Sequence, residues 1–139
     1  MRYELRTAQG DRLVRPDRKT GFCLGDRYDA GDRPRKPRSP VFTGDCNRDP
    51  EALAVREGIS VGYGDDYAPQ LEGQYIDITG LPAGRYVLVH RVNRAGMLRE
   101  RTRRNNASSA LIELKWSSGA VRTPSVTTSA TCPDVDRCG

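Results

Sequence analysis

Histidine is almost missing from this chain. His90 is the only one in 139 residues, so the chain cannot assemble a histidine-rich metal site. A Ser-His-Asp triad would have to use His90, which has no nucleophile elbow beside it. Lysine is nearly as scarce: Lys19, Lys36 and Lys115 stand against twenty arginines. There is no C-x-x-C, and the cysteine spacing is too irregular for a zinc knuckle. No glycine-rich phosphate loop or nucleotide fingerprint occurs. Aromatic residues make up 6%, with no stacking platform and no basic helix, which argues against nucleic acid as a partner. No apolar run is long enough to span a membrane. Residues 1 to 20, "MRYELRTAQGDRLVRPDRKT", contain no apolar core of an export signal.

What is present suits one domain, long enough to bury about two-thirds of the surface exposed by its unfolded form. The hydrophobic share is 36% and the charged share 29%, which favours a small core with long polar loops. The net charge of +5 is spread along the chain among interspersed acids, as in an arginine-rich surface. Four cysteines, Cys23, Cys46, Cys132 and Cys138, point to an oxidising compartment and two disulfides. Three pairings are open; Cys23 with Cys46 and Cys132 with Cys138 is favoured, the second closing a short tail loop.

The pattern of short apolar runs between Gly, Asp and Pro predicts strands near residues 3–5, 12–15 and 20–24. Residues 25–50 carry four prolines among many charges and read as a long surface loop, and residues 51–57 as one helical turn. In "GQYIDITGLPAGRYVLVHRVN" the alternation of Gln74 to Thr79, the turn signal "GLPAG" and the renewed alternation from Arg85 to Asn93 predict a hairpin. Tyr86, Leu88 and Val92 share one face of the second strand and Val87 and Val89 the other, so that strand should be buried on both sides. Ala110 to Trp116 predicts another strand, with Ile112, Leu114 and Trp116 inward. The fold class is all-β: a β-sandwich-like, disulfide-stapled domain with long loops and few or no helices. Residues 1–118 form the domain; residues 119–139, rich in Ser and Thr, read as a mobile tail with a cysteine pair.

Candidate chemistry is sparse. His90 shares its strand face with Tyr86 and Leu88 and reads as a structural histidine. The run "YGDDYAPQLEG" offers Asp65, Asp66 and Glu72, but without the alternating acids of a calcium loop. Asp65 reads as part of a solvated turn, whereas Asp66, directly before Tyr67, is a candidate general base beside a phenol. Lys19 stands in "RKTGFC", where the prevailing arginine would supply no nucleophilic amine.

The run "GISVGYGDDYAPQLEGQYIDITGLPAGRYVLVHRVN", the later Glu100, Asn105 and Asn106, and the earlier "YEL" and "RKTGFCLGD" together resemble the catalytic domain of the lysyl oxidase family, in the manner of its bacterial members. The resemblance covers about residues 3 to 116 and holds in order and spacing except in a longer proline-rich loop around residues 27–57. It implies a secreted copper amine oxidase. Such enzymes oxidise the ε-amine of peptidyl lysine, or another primary amine, to an aldehyde and release ammonia and hydrogen peroxide. The family's cofactor, lysyl tyrosylquinone, joins a lysine just before a small-small-Phe-Cys sequence to a tyrosine seven residues before the glutamine of "Q-x-I-D-I-T". Lys19 and Tyr67 occupy those positions. The family's copper-binding His-x-His-x-His cluster lies a few residues upstream of "YEL", so the resemblance places it before Met1. Residues 1–139 are then expected to be a truncated form, inactive alone, with export signal and copper ligands upstream. The competing expectation is a non-catalytic extracellular β-sandwich module for binding or adhesion, which would have no use for Lys19 or for Cys23 after it. Oligomeric state is open.

Overall fold

The computed structural model describes residues 2–19, 23–44, 50–68, 70, 73–100 and 102–139. The chain divides into two compact units, residues 1–19 with 73–139, and residues 20–72. Both are all-β among the described residues, as expected from the sequence.

The first unit is built on a five-stranded antiparallel sheet. Its strands are β1 (Arg2–Thr7), β2 (Leu13–Pro16), β7 (Gly84–Arg91), β8 (Ala107–Trp116) and β9 (Pro124–Pro133), in the order β2-β1-β7-β8-β9. A short ribbon pairs β3 (Arg18–Lys19) with β6 (Gln74–Tyr75). β7, with the sequence GRYVLVHR, is rich in the β-branched and aromatic residues that suit a pleated surface. It lies at the sheet centre and is buried on both faces, as its double alternation predicts. On one face Tyr86 packs with Leu5, Leu81, Ile112 and Leu114; on the other Val87 and Val89 pack with Leu111 and Cys138.

The expected hairpin between residues 74–79 and 85–93 does not form. Both edges of β7 are taken by other partners, β1 and β8, and Asp77 Oδ1 accepts the Thr79 N–H at 2.9 Å, a local turn that interrupts the incoming strand. Ile76 and Ile78 nevertheless pack against the core through the face that their alternation defined. The "GLPAG" turn is fixed from outside: Trp116 Nε1 donates to Leu81 O and the Tyr86 hydroxyl to Pro82 O, both at 2.8 Å.

Two further expectations are corrected. Residues 51–57 form no helical turn. The segment read as a mobile tail contains β9, which pairs along β8 from Pro133 opposite Ser108 to Pro124 opposite Trp116. Its Ser, Thr and Val side chains are almost all exposed, so composition resembles a linker while the backbone completes the sheet edge. The Cys132–Cys138 disulfide is present, with an S–S distance of 2.08 Å. Cys23 is also disulfide-bonded, and its expected partner Cys46 lies outside the described residues.

The second unit is mostly loop, with one ribbon of β4 (Tyr28–Asp29) and β5 (Tyr63–Gly64). Its organising group is the buried Asp26 carboxylate. Oδ1 accepts the Ser60 N–H at 2.6 Å, and Oδ2 accepts those of Val41 at 2.8 Å and Phe42 at 3.2 Å. One side chain thus ties together loop segments up to 34 residues apart and satisfies backbone donors that lack a ladder. Burial alone would raise the Asp26 pKa. The N–H groups of Ser60 and Val41, the Ser60 hydroxyl and the Phe42 N–H outweigh it and hold it at about 2.

Candidate functional site

The 20–72 unit also positions Tyr67. Three backbone bonds run across this part of the unit: Arg27 N to Gly64 O at 2.8 Å, Ala30 N to Gly62 O at 2.9 Å and Asp26 N to Phe42 O at 2.8 Å. They bring the loop after β5 alongside the Cys23 end of the unit. There the Tyr67 hydroxyl lies 2.6 Å from Asp65 Oδ2 and 3.1 Å from Cys23 O. A phenol has one proton to donate, and the shorter contact, to the charged acceptor, is the stronger.

Asp65 departs from its expected place in a solvated turn: its side chain is only 2% exposed. Burial is possible because its charge is used, on Tyr67 through Oδ2 and on Arg27, whose Nε lies 3.8 Å from Oδ1. Arg27 is itself held by donation from Nη2 to Gly44 O at 3.1 Å. Asp66, the sequence candidate for a base, is exposed. The carboxylate on the phenol is therefore Asp65, two residues before Tyr67. No sequence signal separates the two neighbouring acids, since the choice is made by which side of the loop turns inward.

The phenol is strongly perturbed. Burial, then the hydrogen bond and negative charge of Asp65, push the Tyr67 pKa well above its ordinary value, and the Arg27 charge offsets only part of this. In this state Tyr67 is a neutral, oriented donor.

The other sequence candidates are placed as follows. Lys19 ends β3, its backbone opposite Gln74 in the first unit; its side chain lies outside the described residues. His90 stacks on Tyr3, with ring centroids 4.4 Å apart and planes 11° apart, consistent with its structural reading. Glu100 accepts hydrogen bonds from the side-chain amides of Asn93 and Asn106. Glu72 lies outside the described residues. Among the described residues no group of three His, Cys, Asp or Glu side chains could hold a metal ion, and no helix is long and apolar enough to cross a membrane.

No curated protein matches the chain. The family model described as "Lysyl oxidase" matches residues 1–123, a span that includes every strand up to β8 and both Lys19 and Tyr67. The chain belongs to the lysyl oxidase family.

Proposed function

We propose that this chain is the catalytic portion, within residues 1–118, of a secreted amine oxidase that acts on protein lysine side chains or other primary amines. Lys19 and Tyr67 are the precursors of its lysyl tyrosylquinone. The observation that carries this reading is the Tyr67 phenol. A tyrosine in an ordinary loop has no need of a buried carboxylate and a backbone carbonyl on its hydroxyl, whereas a tyrosine whose ring is to be modified at one carbon must be held in one orientation. Asp65 supplies that orientation and Arg27 keeps Asp65 in place. Asp66, exposed on the same loop, retains the role of a candidate base for the substrate's α-proton.

The quinone would supply a carbonyl that takes up a primary amine and accepts two electrons from it, dioxygen then removing those electrons as hydrogen peroxide. Copper, which the family implies, does not fit the described residues: they offer no donor cluster, and the chain's one imidazole is stacked on Tyr3. The reading therefore requires ligands supplied from outside these residues.

Peptide mass mapping of the protein from its native source, grown with copper and stained for redox-active quinone, tests this. The expected result is a Lys19–Tyr67 linked peptide that stains, with both signals absent from Tyr67→Phe. Unlinked Lys19 and Tyr67 peptides in a preparation that still releases peroxide from amines would overturn it.

A further inference from the structure

Glu100 and Asn106, part of the motif that singled out this chain, lie in the first unit. There they build a feature of that unit. Between β7 and β8, Asn93 takes a left-handed conformation, with φ 43°, and its side chain spans the loop. Oδ1 accepts the Leu98 N–H and Nδ2 donates to Leu98 O, both at 2.8 Å. Glu100 then gathers the amides of Asn93 and Asn106, while Val92 N donates to Asn106 O at 2.9 Å. The result is a closed loop in which the Glu100 carboxylate is occupied by two amides, with Arg103 Nε 3.9 Å away.

Beside that lock, Arg91 at the end of β7 and Arg94, Arg103 and Arg104 of the loop line one groove of about 260 Å³ with the two asparagines, with no carboxylate in its lining among the described residues. Two of the four are anchored from beneath. Arg91 Nε lies 3.7 Å and Arg94 Nη1 3.5 Å from the carboxylate of Glu4, which is 2% exposed. Arg2 and Arg6 share the same carboxylate, at 3.3 and 2.6 Å; Arg6 also pairs with Asp11 at 2.9 Å, Arg91 with Asp136 at 2.5 Å and Arg103 with Glu100 at 3.9 Å, so the arginines in and beneath the groove still outnumber these carboxylates. Arg103 lies over Gly96, where a Cβ would approach its Nη2 to 3.0 Å.

We propose that this groove is a binding site for a phosphate or sulfate group. Several planar guanidinium forks around one small cavity match an anionic acceptor with oxygens on several sides, and arginine is the residue suited to such groups. A concave lining of one sign also concentrates its field on the cavity. The inference is independent of the oxidase reading, because it rests on the first unit alone.

Isothermal titration calorimetry of the full chain with pyrophosphate, ionic strength held constant with chloride, tests it alongside a sulfated disaccharide. The expected result is saturable one-to-one binding of at least one of them. The affinity should fall at least tenfold in the Arg94→Gln, Arg104→Gln double variant, whose side chains are exposed and whose circular dichroism spectrum should match that of the unsubstituted chain. Tighter binding of the disaccharide would identify a glycan sulfate as the source, and tighter binding of pyrophosphate a phosphate. Amide shifts mapped on the unsubstituted chain should cluster at residues 91–94 and 103–107. Absence of saturable heat for both, equal binding by the double variant, or shifts elsewhere would overturn the proposal.

Discussion

The Tyr67 hydroxyl and the Asp65 carboxylate meet at 2.6 Å across two residues of one loop, with the carboxylate side chain 2% exposed. The pair stabilises the neutral phenol, because ionising Tyr67 would place two negative charges in contact.

Asp65→Asn should therefore lower the Tyr67 pKa. Burial, the first cause of its rise, remains, so the fall should stop short of the ordinary value of about 10. The folded chain holds this proton more tightly than the unfolded one, so the pair's contribution to stability is complete below pH of about 10 and is lost as pH rises above it. A ring-carbon NMR titration of Tyr67 reads the shift. An unchanged pKa in Asp65→Asn would leave burial as the only cause.

Asp26 gives the opposite pH dependence. Its folded-state pKa is about 2, below the ordinary 3.8. Its stabilisation is present above that ordinary value and is lost as pH falls toward 2. Asp26→Ala leaves three loop N–H groups without their acceptor and should cost on the order of 2–4 kcal/mol. Asp26→Asn should flatten the acid limb of stability between pH 4 and 2, followed by urea denaturation across that range. A limb of unchanged steepness would assign the acid sensitivity to other carboxylates.

Cys138 is 1% exposed and packs with Val87, Val89 and Leu111, so its disulfide to Cys132 fastens the end of β9 to the second core cluster. Replacing both cysteines by serine should cost about 2 kcal/mol for a loop this short, plus the lost apolar contact of Cys138. Hydrogen exchange should accelerate in β9 more than in β7. Uniform acceleration would mean that β9 and the rest of the sheet open together.

What the sequence makes legible follows from how each feature is encoded. β7 was plain because burial on both faces leaves two apolar alternations in one short run, and Tyr86 with Val87 and Val89 carries both. β9 was hidden because an edge strand needs only backbone pairing, and its solvated Ser and Thr side chains leave a linker's composition. The hairpin failed because alternation reports which side of a strand is buried and not which strand lies beside it. Ile76 and Ile78 accordingly reach the core without pairing to β7. At the candidate site, the family resemblance implies Tyr67, but nothing in the sequence distinguishes Asp65 from Asp66, since loop direction decides which of two adjacent carboxylates is buried. The grip of Asp26 on Ser60 was equally invisible, because it joins residues 34 apart through a side chain that obeys no period.

Glu4 carries the last prediction. Its carboxylate is buried beneath Arg2, Arg6, Arg91 and Arg94, with the Arg6 Nη2 contact at 2.6 Å the closest. Burial alone would raise its pKa, but the Arg6 hydrogen bond and the charges of Arg6, Arg2 and Arg91 hold it below the ordinary range. Its contribution is thus present above a pH of about 4.5 and lost as pH falls below it. Glu4→Gln leaves four guanidiniums crowded around a neutral amide and should cost about 3–5 kcal/mol, the penalty of a buried pair broken from one side. Removing one cation is different, because three others remain: Arg2→Gln, at the half-exposed margin of the cluster, should cost less than about 1 kcal/mol. Urea denaturation of the two variants at pH 7 measures this asymmetry. Similar costs would mean that the cluster is a set of separate pairs, and that Glu4 does not hold the arginines as a group.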